Sequence, residues 1–104
     1  MDLFENVKVE KNANVYFEGR ITSRNIFFTD GTKKTLGVML PGSYEFGTEK
    51  KEIMEIQSGT LKVLLPEETE WVDIKGGTSF EVPANSKFKL EVLELSDYCC
   101  SYVD

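Results

Sequence analysis

The stretch Tyr44–Gly59, YEFGTEKKEIMEIQSG, reads as two β-strands joined by a charged turn. Side chains on a strand alternate between its two faces. One face therefore carries Tyr44, Phe46 and Thr48, and after the turn Glu52, Met54 and Ile56. A carboxylate in line with a methionine and an isoleucine does not suit a solid core, because an unpaired charge is costly to bury. Its presence implies that the row lines a pocket.

The same alternation recurs along the chain. Leu36, Val38 and Leu40 share one face; so do Leu61, Val63 and Leu65, then Phe80 and Val82, then Phe88, Leu90 and Val92. The opposite faces carry Lys62, Ser79, Glu81, Lys87, Lys89 and Glu91. Patterning of period two with one apolar and one polar face belongs to sheets wetted on one side. No helical period runs longer than a turn or two. The pattern predicts ten strands: Val15–Thr22, Asn25–Thr29, Thr35–Leu40, Tyr44–Gly47, Glu52–Gln57, Thr60–Leu65, Glu70–Ile74, Thr78–Val82, Lys87–Leu93 and Asp97–Val103. Turn residues separate them at Asp30-Gly31, Pro41-Gly42-Ser43, Ser58-Gly59, Pro66–Thr69, Gly76-Gly77 and Pro83–Ser86. Short strands at such spacing predict an all-β roll or barrel. Residues 1–13 are polar and are expected to be loosely held.

The 104 residues make one domain, 1–104, with 40% hydrophobic and 29% charged residues. A core of this size is small, so closing the sheet or pairing with a second copy would add burial. The net charge of -6 argues against a nucleic-acid partner, whose phosphates call for a basic face. No apolar run reaches membrane-spanning length, and the N-terminus lacks the pattern of a secretory signal. With the adjacent Cys99 and Cys100 read as reduced thiols, a cytoplasmic location is expected. The chain has no histidine. That removes Ser-His-Asp and Cys-His catalysis and the common ligands of zinc and non-haem iron.

Glu52, six residues and Gly59, then Gly77, five residues and Pro83, resemble the glycine, glutamate and proline framework of the two cupin motifs. The metal-binding histidines of such cupins would fall at Phe46, Thr48 and Phe88; only the glutamate position is kept. The resemblance implies a cupin-like (RmlC-like jelly-roll) β-barrel with no metal. It narrows through Gly37-Val38-Met39, Gly42-x-Tyr44-x-Phe46, Glu52, Ser58-Gly59-x-Leu61-x-Val63-Leu64-Leu65-Pro66, Trp71, Gly77, Phe80 and Val82-Pro83. These resemble the small bacterial pyrimidine/purine nucleoside phosphorylase family over about Tyr16–Tyr102. That resemblance implies a homodimer. It also implies cleavage of purine and pyrimidine nucleosides by phosphate to free base and ribose 1-phosphate, with broad base tolerance. No cofactor is implied; phosphate is the co-substrate. The chain departs from the pattern at Ser101, where the family often has arginine, and in the loop 29–35, often serine-rich.

For that chemistry Glu52 is the candidate catalytic group, either accepting ribose hydroxyls and stabilising sugar charge as an anion or donating to the base as an acid. Tyr44, Phe46 and Phe88 are candidates for stacking the base, and Thr48 offers a hydroxyl on the same face. Among the cations, Arg24 can chelate phosphate through its fork, and Lys33 sits in a loop with hydroxyls and a glycine amide. Tyr98 and Tyr102 share a face with Cys100, packed in a core or interface or closing the pocket. The second class of function consistent with the residues is a non-catalytic binding module for a small anionic or sugar ligand; fold alone does not choose.

Overall fold

The computed structural model describes residues 3–103. Nine strands run in chain order: β1 Lys8–Val9, β2 Asn14–Tyr16, β3 Ile21–Phe27, β4 Lys33–Met39, β5 Gly42–Gly47, β6 Lys51–Leu64, β7 Val72–Lys75, β8 Thr78–Val82 and β9 Lys87–Val103. All the pairings are antiparallel. Among the described residues no helix is long and apolar enough to cross a membrane.

The long strands β6 and β9 organise the fold. They pair with each other along nearly their whole length, from Lys51↔Val103 to Leu64↔Lys89. The second half of β9 joins β4, which joins β3, while the first half of β6 takes β8. The first half of β9 joins β5, and the second half of β6 takes β7. Each long strand thus serves two layers, and the layers enclose the core: Ile21, Met39, Met54 and Ile56 from one, Leu61, Val63, Leu90 and Val92 from the other. Each of these side chains is almost fully buried, and each such burial contributes roughly 1.5–3 kcal/mol.

Two sequence expectations are corrected here. Ser58-Gly59 is not a turn between strands. It is a bulge inside β6, where the pairing to β9 shifts register three times between Ile56 and Leu61. Bulges bend a strand and raise its twist, which is what moving from one layer to the other requires. Gly59 has φ +104°, and a Cβ there would lie 2.7 Å from the Leu95 carbonyl oxygen. The two segments of β9 are likewise one strand. The cupin-like roll expected from the sequence is found, and its sheet is not closed by hydrogen bonds. The sheet runs β1-β3-β4-β9-β6-β7 with β2, β5 and β8 as branches. Once β6 and β9 have spent their pairing on both layers, the outer strands remain edges.

The expected first strand, Val15–Thr22, is broken. Phe17, Glu18 and Gly19 all have positive φ (52°, 58° and 93°), which swings the chain round between β2 and β3. Within the opening segment, β1 pairs with β3 through Lys8↔Phe27 and Val9↔Ile26. Phe4 meets Phe28 edge-on with ring centroids 5.0 Å apart. Met1 and Asp2 of that segment lie outside the described residues.

Candidate functional site

A cavity of about 160 Å³ opens between the layers. Its apolar lining is Met39, Met54, Phe46 and Phe88, and its polar lining is Ser23, Thr35, Glu52, Tyr98, Cys100 and Tyr102, with Tyr16 and Gly47 completing the wall. A wider recess of about 530 Å³ adjoins it, lined by Gly31, Thr32, Lys33, Glu49 and Lys50. Gly47, Glu52 and Tyr102 belong to both. Glu52 therefore stands at the neck between an aromatic chamber and a mouth bearing lysines.

Its position follows from strand register. Glu52 pairs with Tyr102 on β9 and with Val82 on β8. Two residues along β6, Met54 pairs with Cys100, so Glu52, Met54, Cys100 and Tyr102 share the inner face. Burial raises the Glu52 pKa above the ordinary 4.5, and a hydrogen bond from the Cys100 thiol partly offsets the rise. Cys100 itself is pushed up to about 12, first by burial and then by the negative charge of Glu52. This thiol is no nucleophile at neutral pH. Burial likewise lifts Tyr98 to about 12 and raises Tyr102.

The aromatic wall is built by β5 and β9. Phe46 stacks on Phe88 at 5.9 Å, as expected of cross-strand partners. Tyr16 and Phe17 meet Phe46 edge-on at 5.8 and 5.3 Å. Tyr16, at the end of β2, lines the chamber, and Phe17 opens the positive-φ turn that follows it. At the mouth the Lys33 ammonium lies 4.8 Å from the centroid of the Tyr102 ring. The neighbouring turn is fixed by Asp30, which accepts from the Thr32 amide (2.9 Å) and hydroxyl (2.7 Å).

The structure gathers Glu52, Phe46, Phe88 and Lys33 of the sequence candidates and leaves three aside. Tyr44 is buried outside the cavity, donating to the Leu40 carbonyl at 2.7 Å and packing on Phe17. Thr48 donates to the Pro83 carbonyl at 2.7 Å and accepts from the Ser86 amide at 3.0 Å, so its hydroxyl fastens the 83–86 loop. Arg24 is exposed on the outer face, beside Leu36, Val38 and Asp97, because Ser23 takes the inward position on β3. Ser23, Thr35 and Met39 were not picked out from sequence; their inward direction depends on how β3 and β4 pair with β9. Tyr98 and Tyr102 both line the cavity, and Tyr98 also belongs to the buried core, with Tyr102 packed against it. Among the described residues no three His, Cys, Asp or Glu side chains are grouped to hold a metal ion.

The fold and sequence have clear relatives. The RmlC-like cupin from Shewanella frigidimarina superposes with a TM-score of 0.69 at 12% identity, covering 97% of this chain and 86% of that one, which establishes the cupin fold. A crystal structure of a protein of unknown function from Acinetobacter sp. ADP1 superposes with a TM-score of 0.95 at 46% identity, covering 97% and 98%. The Wolinella succinogenes protein named pyrimidine/purine nucleoside phosphorylase is 62% identical over 103 residues, 99% of this chain and 98% of the relative. Residues 11–102 match the family described as pyrimidine/purine nucleoside phosphorylase. Since that match runs from β2 into the last residues of β9, through every strand that lines the cavity, the chain belongs to the pyrimidine/purine nucleoside phosphorylase family.

Proposed function

We propose that this protein cleaves purine and pyrimidine nucleosides by phosphorolysis, with phosphate as co-substrate and no resident metal or cofactor. The observation that carries this reading is the placement of Glu52 at the neck between the aromatic chamber and the lysine-bearing mouth. The base stacks on Phe46 and Phe88, whose π-faces accept any base. Phosphate enters from the mouth, where Lys33 supplies positive charge. The sugar then spans the neck beside Glu52.

A phosphate oxygen forms a bond to C1′ of the ribose while the C1′–N bond to the base breaks. The bonding pair leaves with the base nitrogen, which takes up the proton that hydrogen phosphate gives up on becoming the sugar phosphate. Positive charge develops on the sugar between the two events. A carboxylate beside it stabilises that charge, and does so most effectively where water is excluded. Glu52 is therefore assigned as an anion facing the sugar, accepting ribose hydroxyls and the developing charge. A non-catalytic binding module for a small anionic or sugar ligand could use the same lysines and carboxylate; phosphate-dependent release of base is what separates the two readings.

The test is chromatographic. The purified protein is incubated with uridine, adenosine, guanosine or thymidine, with and without phosphate. Release of free base and a sugar 1-phosphate only when phosphate is present is the expected result. Release at the level of a phosphate-free blank, from folded protein, would sink the reading. Sedimentation of the same protein checks the homodimer, proposed on the strength of the family resemblance, and cell fractionation checks the cytoplasmic location, proposed from the N-terminal sequence pattern and the reading of Cys99 and Cys100 as reduced thiols.

A further inference from the structure

Besides Tyr16, four side chains lining the chamber carry hydroxyl groups that the reaction above leaves without a task. They form two pairs. Ser23 faces Gly37 across β3–β4, and Gly37 faces Tyr98 across β4–β9. Gly37 has no side chain, so Ser23 and Tyr98 flank it on the two neighbouring strands, and both line the cavity. A Cβ on Gly37 would come within 2.8 Å of the Ser23 Cβ, so the glycine is what keeps this pair together. The second pair is Thr35 and Tyr102, with their hydroxyl oxygens 3.4 Å apart and either able to donate. Behind the first pair the Asn14 amide donates to the Ser23 oxygen at 3.2 Å, which leaves the Ser23 proton free to turn.

A hydroxyl is both donor and acceptor, and its proton rotates to suit the partner. Apart from Glu52, assigned above to the sugar, the cavity lining contains no side chain of fixed polarity: no amide, guanidinium, ammonium or indole. Bases differ at the exocyclic position in this respect: adenine and cytosine present an amino donor, guanine, hypoxanthine and uracil a carbonyl acceptor. A site with fixed polarity rejects the wrong partner strongly, because a buried group is left unpaired. A site of rotating hydroxyls does not. We propose that the Ser23–Tyr98 and Thr35–Tyr102 pairs are the specificity-determining elements of the chamber, and that their reversible polarity lets it take amino and keto bases alike. The high pKa of Tyr98, about 12, keeps its phenol protonated and reversible throughout the neutral range. This inference rests on the nucleoside reading of the site.

The experiment uses two matched pairs, adenosine with inosine and cytidine with uridine. Dissociation constants without phosphate and kcat/KM with phosphate are measured for the wild-type protein, Tyr98→Phe and Ser23→Ala, each checked for an unchanged far-ultraviolet spectrum and a cooperative melt. Wild-type values within each pair should agree within about tenfold. Tyr98→Phe should weaken both members of each pair together, by about three- to tenfold, the loss of one neutral hydrogen bond. Ser23→Ala, the milder truncation, should act in the same direction. Values unchanged in both variants, or a loss confined to the amino or the keto member, would overturn the inference. Binding with the expected ratios but no base release would overturn phosphorolysis and leave this inference standing. No binding of any of the four nucleosides would overturn both.

Discussion

Glu52 on β6 and Tyr102 on β9 stand directly opposite each other in the antiparallel register, and together they frame the neck between chamber and mouth. The pairing fixes the separation of carboxyl and phenol by backbone hydrogen bonds rather than by loop conformation. It also explains why the carboxyl is desolvated: it is held against a ring and a thiol on a packed sheet face.

Removing the Glu52 charge should separate activity from stability. Glu52→Gln keeps the shape and loses the anion. Phosphorolysis is expected to fall by about 10²-fold or more, the cost of losing a preorganised electrostatic group. Stability should move the other way. The folded pKa is raised, so the stability linked to Glu52 is full below the unfolded pKa and is lost as pH rises through the folded one. At pH 7 the wild type carries that cost. Relief of it at this half-buried site should raise Tm slightly. The wild-type rate should have an acid limb displaced above 4.5, absent in Glu52→Gln. Thermal melts and a pH–rate profile check both.

Lys33 and Arg24 should behave differently although both are cations on neighbouring strands. Lys33 borders the mouth, and Arg24 sits on the outer face. Lys33→Ala is expected to raise the KM for phosphate about tenfold or more, the range for a lost hydrogen bond to a charged group. Arg24→Ala should leave it unchanged. Initial rates against phosphate at saturating nucleoside measure both.

Thr48 and Phe46 divide in the same way between structure and ligand. Thr48→Val strips the partners from the Pro83 carbonyl and the Ser86 amide, at about 1–3 kcal/mol, or several degrees in Tm. Its nucleoside KM should not change. Phe46→Leu keeps an apolar side chain but loses the stacked ring facing Phe88. It should raise the nucleoside KM by about five- to a hundredfold, the worth of one base–aromatic stack. Melting curves and steady-state kinetics on the two variants separate these roles.

The bulge in β6 gives a prediction for the fold alone. Gly59→Ala must hold φ at +104° and push its Cβ towards the Leu95 carbonyl. Backbone strain alone should destabilise the protein by about 1–3 kcal/mol, and chemical denaturation measures it. Stability equal to wild type would mean that β6 bends without this glycine.

Period two in the sequence determined the class of fold and the inward direction of Phe46, Glu52, Met54 and Phe88, because a strand has only two faces and burial of one fixes the phase. The absence of histidine, read from the sequence, narrowed the chemistry in the same direct way. Three things came only from the tertiary structure. Alternation cannot tell a bulge from a turn, so Ser58-Gly59 read as an end where β6 in fact continues into a second layer. It cannot tell a pocket wall from a core, so Tyr44 and Thr48 looked like Phe46 until the partners of their hydroxyls were known. It says nothing of which residues from distant strands meet. Ser23, Thr35, Tyr98 and Tyr102 are brought to one chamber by the register of β3, β4 and β9, and register is set by pairings far apart along the chain that no local pattern specifies.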